Sequence, residues 1–179
     1  GYQRDFVKTY QKALVEMKPL RAQEEAAIYG SNEYLELEQA LQEAETAIKP
    51  ALAEIEQEER ILGPKLTAIT KPFTTARSRV QAAIYLLETA NESSKASLEE
   101  DLQKLREGPY TVEIPEPDGS VVEKSYSYGE MEEEFNALKV KQGELQARTV
   151  ELVRPSTQLR RELNTFASAR LTSVTAAQV

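Results

Sequence analysis

Residues 108–128, GPYTVEIPEPDGSVVEKSYSY, read as β-structure, with long helical sequence on both sides. Pro117, Asp118 and Gly119 form a tight-turn signal: Pro presets φ, Asp bonds its own backbone, and Gly accepts positive φ. A three-residue loop with Gly in the left-handed position pairs Ile114 with Val122, Val112 with Lys124 and Tyr110 with Tyr126. Tyr110, Val112, Ile114, Val122 and Tyr126 then share one face, and Thr111, Glu113, Glu123 and Ser125 share the other. Gly108 and Pro109 end the preceding helix. Ser127, followed three residues later by Glu130, fits a capping box that starts the next one. A lone two-stranded hairpin is marginal in water. Its apolar face must therefore rest on helices or on a partner.

The rest of the chain repeats apolar residues with a period near 3.5, the pattern of a coiled-coil seam. Phe6, Tyr10, Ala13, Met17, Leu20 and Ala27 carry it first, with Glu24 as a polar exception. Gly30, Ser31 and Asn32 supply a stop and a new cap, at which the chain reverses or bends. Leu37, Leu41, Ala44, Ile48, Leu52, Ile55 and Leu62 continue the stripe. Gly63 and Pro64 are expected to interrupt or bend the helix. Leu66, Ile69, Phe73, Ala76, Val80, Ala83, Leu87 and Ala90 resume it. Residues 91–97 are polar and weak, Ser97 to Glu100 fits a recap of the helix, and Leu98, Leu102 and Leu105 finish the seam. After the hairpin come Met131, Phe135, Leu138, Gln142, Leu145, Thr149, Leu152, Ser156, Leu159, Leu163 and Phe166. The polar seam positions Gln142, Thr149 and Ser156 suit a register-fixing role.

Residues 64–107 and 129–172 are both 44 residues long, so each helix would span roughly 65 Å. Equal helices flanking a tight turn predict an antiparallel pair. The expected fold is mainly α: a long antiparallel coiled coil, or helical hairpin, with a small β-hairpin at its apex. Its parts are an N-terminal helical segment (1–62), an ascending helix (63–107), the hairpin tip (108–128), a descending helix (129–172) and a frayed tail (173–179).

Composition narrows the function classes. The 179 residues are 40% apolar and 29% charged, a helix-rich and ordered composition. The first residue is Gly rather than Met, so a processed or excised segment of a longer protein is expected. No run approaches the roughly 20 apolar residues of a membrane span, and none reads as a signal peptide. Cys and His are absent, which removes the thiol and imidazole ligands of structural zinc and the Ser-His and Cys-His nucleophile pairs. A net charge of −8 opposes a general nucleic-acid or anionic-lipid surface. Acidic runs at 54–59, 99–101 and 130–134 read as solvated helix faces rather than a carboxylate or metal centre. No loop has the EF-hand pattern. No catalytic, metal or cofactor residue is assigned.

Two recurrent features remain. Basic-Pro pairs occur at Lys18-Pro19, Lys49-Pro50, Lys71-Pro72 and Arg154-Pro155, each with its Pro off the seam, and gentle helix bending is the expected reading. There are eight Tyr, three of them at the hairpin. Tyr combines a large apolar ring with a polar tip and suits interfaces. Tyr110, Val112, Ile114, Val122, Tyr126 and Tyr128 are therefore the candidate partner-binding residues. Packing of the hairpin on its own helices is the competing account of the same residues.

Three stretches carry a family resemblance: YQRDF at 2–6, ELQARTVELVRPSTQLRRE at 144–162 and ARLTSVTAAQV at 169–179. They resemble the coiled-coil segment of bacterial membrane-anchored proteins that bear c-type haem domains. The resemblance implies a periplasmic spacer or oligomerisation segment in a larger electron-transfer protein, with partners that are attached domains or copies of itself. The Cys-x-x-Cys-His motif is absent, so no haem residue carries over and no cofactor is expected in this chain. The alternative, by analogy of architecture, is a prefoldin-like arm that grips a protein with its hairpin tip.

Overall fold

The computed structural model describes residues 2–178, apart from the side chains of residues 2–3, 5–6, 10, 12–20 and 172–178. It is mainly α, with helices α1 (Tyr2–Tyr29), α2 (Asn32–Glu88), α3 (Glu92–Glu107) and α4 (Tyr128–Gln178). Strands β1 (Tyr110–Pro115) and β2 (Val121–Tyr126) form one antiparallel hairpin between α3 and α4. The chain divides into two compact units, residues 1–50 with 151–179, and residues 51–150.

In the first unit, α1 ends at Tyr29, and the hydroxyl of Ser31 caps α2 by accepting the N–H of Tyr34 at 3.3 Å. That satisfies one of the orphan donors of the helix start. The expected stripe is displaced by one residue at the end of α1: Ile28 is buried and Ala27 exposed. The side chains of the expected seam positions Phe6, Tyr10, Ala13, Met17 and Leu20 lie outside those described. The antiparallel pairing of α2 with α4 is fixed here by Arg170 on Glu33 at 2.6 Å, by the Arg160–Glu45 ion pair, and by Tyr34 against Phe166 at 6.5 Å. Arg170 also lies over the Phe166 ring, 4.3 Å from its centroid. Buried Leu41, Leu163 and Ala167 form the apolar part. The tail expected to fray from residue 173 is helical to Gln178, and its side chains lie outside the described residues.

In the second unit, α2 runs without interruption through Gly63 and Pro64. Of the expected interruption or bend, the interruption is absent. Leu62, Leu66 and Ile69 are all buried across it, and burial of that stripe outweighs the local breaker. Pro64 is exposed, so its ring meets water. Pro50 and Pro155 are likewise exposed inside their helices, while Pro72 is half-buried and Pro19 lies outside the described side chains. Glu58 meets Lys141 at 3.8 Å and Arg148 at 3.2 Å, while Phe73 stacks on Phe135 at 4.5 Å and on Tyr128 at 6.0 Å. Ascending positions on α2 thus meet descending positions on α4.

The break in the expected ascending helix lies at Thr89, Ala90 and Asn91, where α2 stops and α3 begins. Pro109, Tyr110 and Thr111 line one recess together with Lys71, Ala76 and Arg79 of α2. Had α3 continued in the direction of α2, Pro109 would lie roughly 50 Å from Ala76 at 1.5 Å per residue. The chain therefore reverses after Glu88, and α3 returns alongside the last turns of α2. The hairpin is not the apex of two equal helices. It sits beside α2, which extends beyond it, and the turn at residues 89–91 takes the place assigned to it.

Candidate functional site

The hairpin is built locally as its sequence dictates. Gly108 ends α3, its N–H donating to the carbonyl of Lys104 at 3.1 Å, and it holds φ of 73° with ψ of −123°. In the turn, Gly119 has φ of 87°, and the N–H of Glu116 donates to the Ser120 carbonyl at 2.8 Å. Both the backbone N–H and the hydroxyl of Ser120 donate to Asp118 Oδ1, at 2.9 and 2.5 Å. Those bonds, the hydroxyl's first, hold the Asp118 carboxyl below its ordinary range. At the exit, the Glu130 N–H donates to Ser127 Oγ at 3.2 Å and the Ser127 N–H to Glu130 Oε1 at 3.4 Å, closing the capping box. The register is Tyr110 with Tyr126, Val112 with Lys124 and Ile114 with Val122, as the turn chemistry predicts.

The six candidate partner-binding residues do not form one surface. Val112, Ile114 and Tyr126 are buried in a core with Leu66, Ile69, Phe73 and Ala76 of α2 and Met131 of α4. They are structural, because the apolar face of the hairpin is already occupied by its own helices. Tyr110 and Tyr128 are half-buried against that core. The Tyr110 hydroxyl donates to the Leu105 carbonyl at 2.5 Å, and the Tyr128 hydroxyl to Glu132 Oε2 at 3.3 Å. Val122, expected on the covered face, is 41% exposed. β1 is the seated strand, and in β2 only Tyr126 is buried. Lys124 shares the inner face with Val122, and a charge there marks an edge left in water.

Electrostatics follow from this seating. Burial, reinforced by the charge of Glu134, raises the Tyr126 phenol above its ordinary range, and its buried hydroxyl finds no hydrogen-bond partner among the described residues. Burial also raises Tyr128, helped by the charge of Glu132 and its hydrogen bond and opposed by Arg77. The guanidinium of Arg77 lies 5.5 Å from the Phe73 ring centroid, close enough for cation–π attraction.

Beside the hairpin lies a recess of about 450 Å³ that sequence reasoning did not single out. Its floor is Lys71, Pro72, Thr75, Ala76 and Arg79 of α2, and its wall is Pro109, Tyr110 and Thr111. The legible signal was the spacing of Lys71, Thr75 and Arg79, four residues apart and therefore on one helix face. Which segment would face them was set by the reversal after Glu88. Among the described residues no group of three or more acidic side chains is placed to hold a metal ion, and no helix is long and apolar enough to cross a membrane. No protein-family model, curated protein or solved structure matches the chain.

Proposed function

We propose that the chain is a non-catalytic structural module that spaces or oligomerises the domains attached to it. The larger protein is, by resemblance, a membrane-anchored electron-transfer protein with periplasmic haem domains. The observation that carries this reading is the side-by-side pairing of α2 with α4. In the second unit, buried Ile55, Leu62 and Leu145 and the Glu58 pairs with Lys141 and Arg148 support it. Such a pair transmits position rather than gathering reactive groups.

Self-association has a surface to use. Val140, Gly143, Ala147 and Val150 follow 3-4-3 spacing on α4 and are all exposed, the two valines at 60% and 55%. Apolar and small residues at that spacing suit a second helix laid alongside. Sedimentation over rising concentration should show dimers or larger species. Val140→Glu with Val150→Glu should return the chain to monomer without loss of helicity. A wild-type chain that stays monomeric at all concentrations, or a double variant that associates unchanged, contradicts the oligomerising role. The electron-transfer context is tested by the surrounding reading frame, where a Cys-x-x-Cys-His motif or a membrane span is expected. The gripping-arm alternative loses its contact face, since Val112, Ile114 and Tyr126 are spent on the core.

A further inference from the structure

The recess beside the hairpin points to a partner, whether or not the module spaces or oligomerises its neighbours. We propose that Lys71, Arg79 and the Pro109–Tyr110 wall form a docking site for an extended, acidic peptide segment of a partner protein. Its carboxylates pair with the two cations, and its apolar groups lie over the wall.

Three observations carry this. First, the charge is of the wrong sign for its surroundings. The chain has a net charge of −8, yet the recess is lined by two cations and no carboxylate. Neither cation joins a salt bridge among the described residues, so both remain available to carboxylates of a ligand. Second, the wall is fixed. The bond from the Tyr110 hydroxyl to the Leu105 carbonyl anchors the ring, and β1 is seated on the core. A fixed aromatic and proline surface costs a ligand little ordering. Third, the cations are eight residues apart on one helix, about 12 Å along its axis. That separation suits two single charges on one extended chain better than one compact dianion. The recess also flanks the middle of a helix, so it lacks the cluster of free backbone N–H groups that cradles phosphate. An extended peptide rising about 3.1 Å per residue places carboxylates four residues apart at the same spacing.

A fluorescein-labelled peptide of four Glu-Pro repeats is a suitable probe, because it is pre-extended and puts Glu at that interval. Anisotropy in about 50 mM salt should show saturable binding that weakens at least about tenfold in about 300 mM salt. Lys71→Glu with Arg79→Glu should weaken it by about tenfold or more, and the milder Lys71→Gln with Arg79→Gln by less. Both pairs are exposed, and circular dichroism checks that helicity is kept. Lys95→Glu with Lys104→Glu on α3 should leave the affinity within about twofold, as rim charges elsewhere do. No saturable binding up to about 1 mM peptide, or an equal loss in the α3 variant, overturns the proposal. So does full displacement by about 10 mM inorganic phosphate against a chloride control of equal ionic strength, since a compact anion would then suffice.

Discussion

Phe73→Ala should unfold the second unit's core more than any other single truncation in it. Phe73 is 2% exposed and is stacked between Phe135 at 4.5 Å and Tyr128 at 6.0 Å, with Arg77 over its ring. It touches both α4 and the seat of the hairpin. Truncating a buried Phe to Ala costs about 3–5 kcal/mol, and losing two stacked aromatic neighbours places this site toward the upper end of that range. The loss exceeds a third of the stability of an ordinary domain. Urea denaturation followed at the helical circular dichroism band and by tyrosine fluorescence reads it directly, since the chain has no Trp. Amide exchange adds the spatial part: the protected amides of β1 should open together with those of α2 around residue 73. Tyr85→Ala is the matched control, because Tyr85 is 66% exposed and its loss should cost under about 0.5 kcal/mol. A Phe73→Ala loss below about 1 kcal/mol, or one no larger than that of the control, would falsify the seating of the hairpin on α2.

Two further outcomes follow from the same geometry. Gly108→Ala should destabilise by about 1–3 kcal/mol or more, since an added Cβ would lie 2.8 Å from the Tyr110 nitrogen and 2.9 Å from the Tyr126 carbonyl oxygen, at a φ of 73°; thermal melts that leave this variant at the wild-type midpoint would count against the tight corner. Tyr126 and Tyr128 are raised in the folded state, so their contribution to stability is complete below the unfolded phenol value of about 10 and is lost as pH rises through their higher folded values. Burial raises Tyr34 as well, so an ultraviolet difference titration should find these three phenols ionising late, with denaturant midpoints falling only at alkaline pH.

Much of this fold was legible in the sequence because the local rules agreed with one another. The turn at Asp118 and Gly119 dictated a strand register that the structure shares, and Ser127 with Glu130 started α4. The stripe from Leu41 to Phe73 and from Met131 to Leu163 is the buried face in both long helices. Even the polar seam position Ser156 is buried, its hydroxyl donating to the Val153 carbonyl at 2.9 Å. The errors came where length and local breakers were asked to decide tertiary direction. Gly63 and Pro64 signal a break or a bend, and a breaker on the outer face of a well-packed helix does not end it. Asn91 looked like a weak spot, and it is where α3 begins after the reversal. The matched lengths of 64–107 and 129–172 then suggested an apex that the chain does not make. The recess of Lys71 and Arg79 was out of reach for the same reason, since its opposing wall arrives only through that reversal.

The reversal after Glu88 is the claim on which the seated hairpin and the recess both depend, and one distance tests it. Spin labels at Lys71 and Thr111, both exposed, can be placed without touching the core. Lys71 and Thr111 line the same recess, so double electron–electron resonance should give a single distance of about 10–25 Å, label arms included. A helix continuing from residue 71 to residue 107 would instead separate them by roughly 55 Å, and a distance in that range would contradict the account.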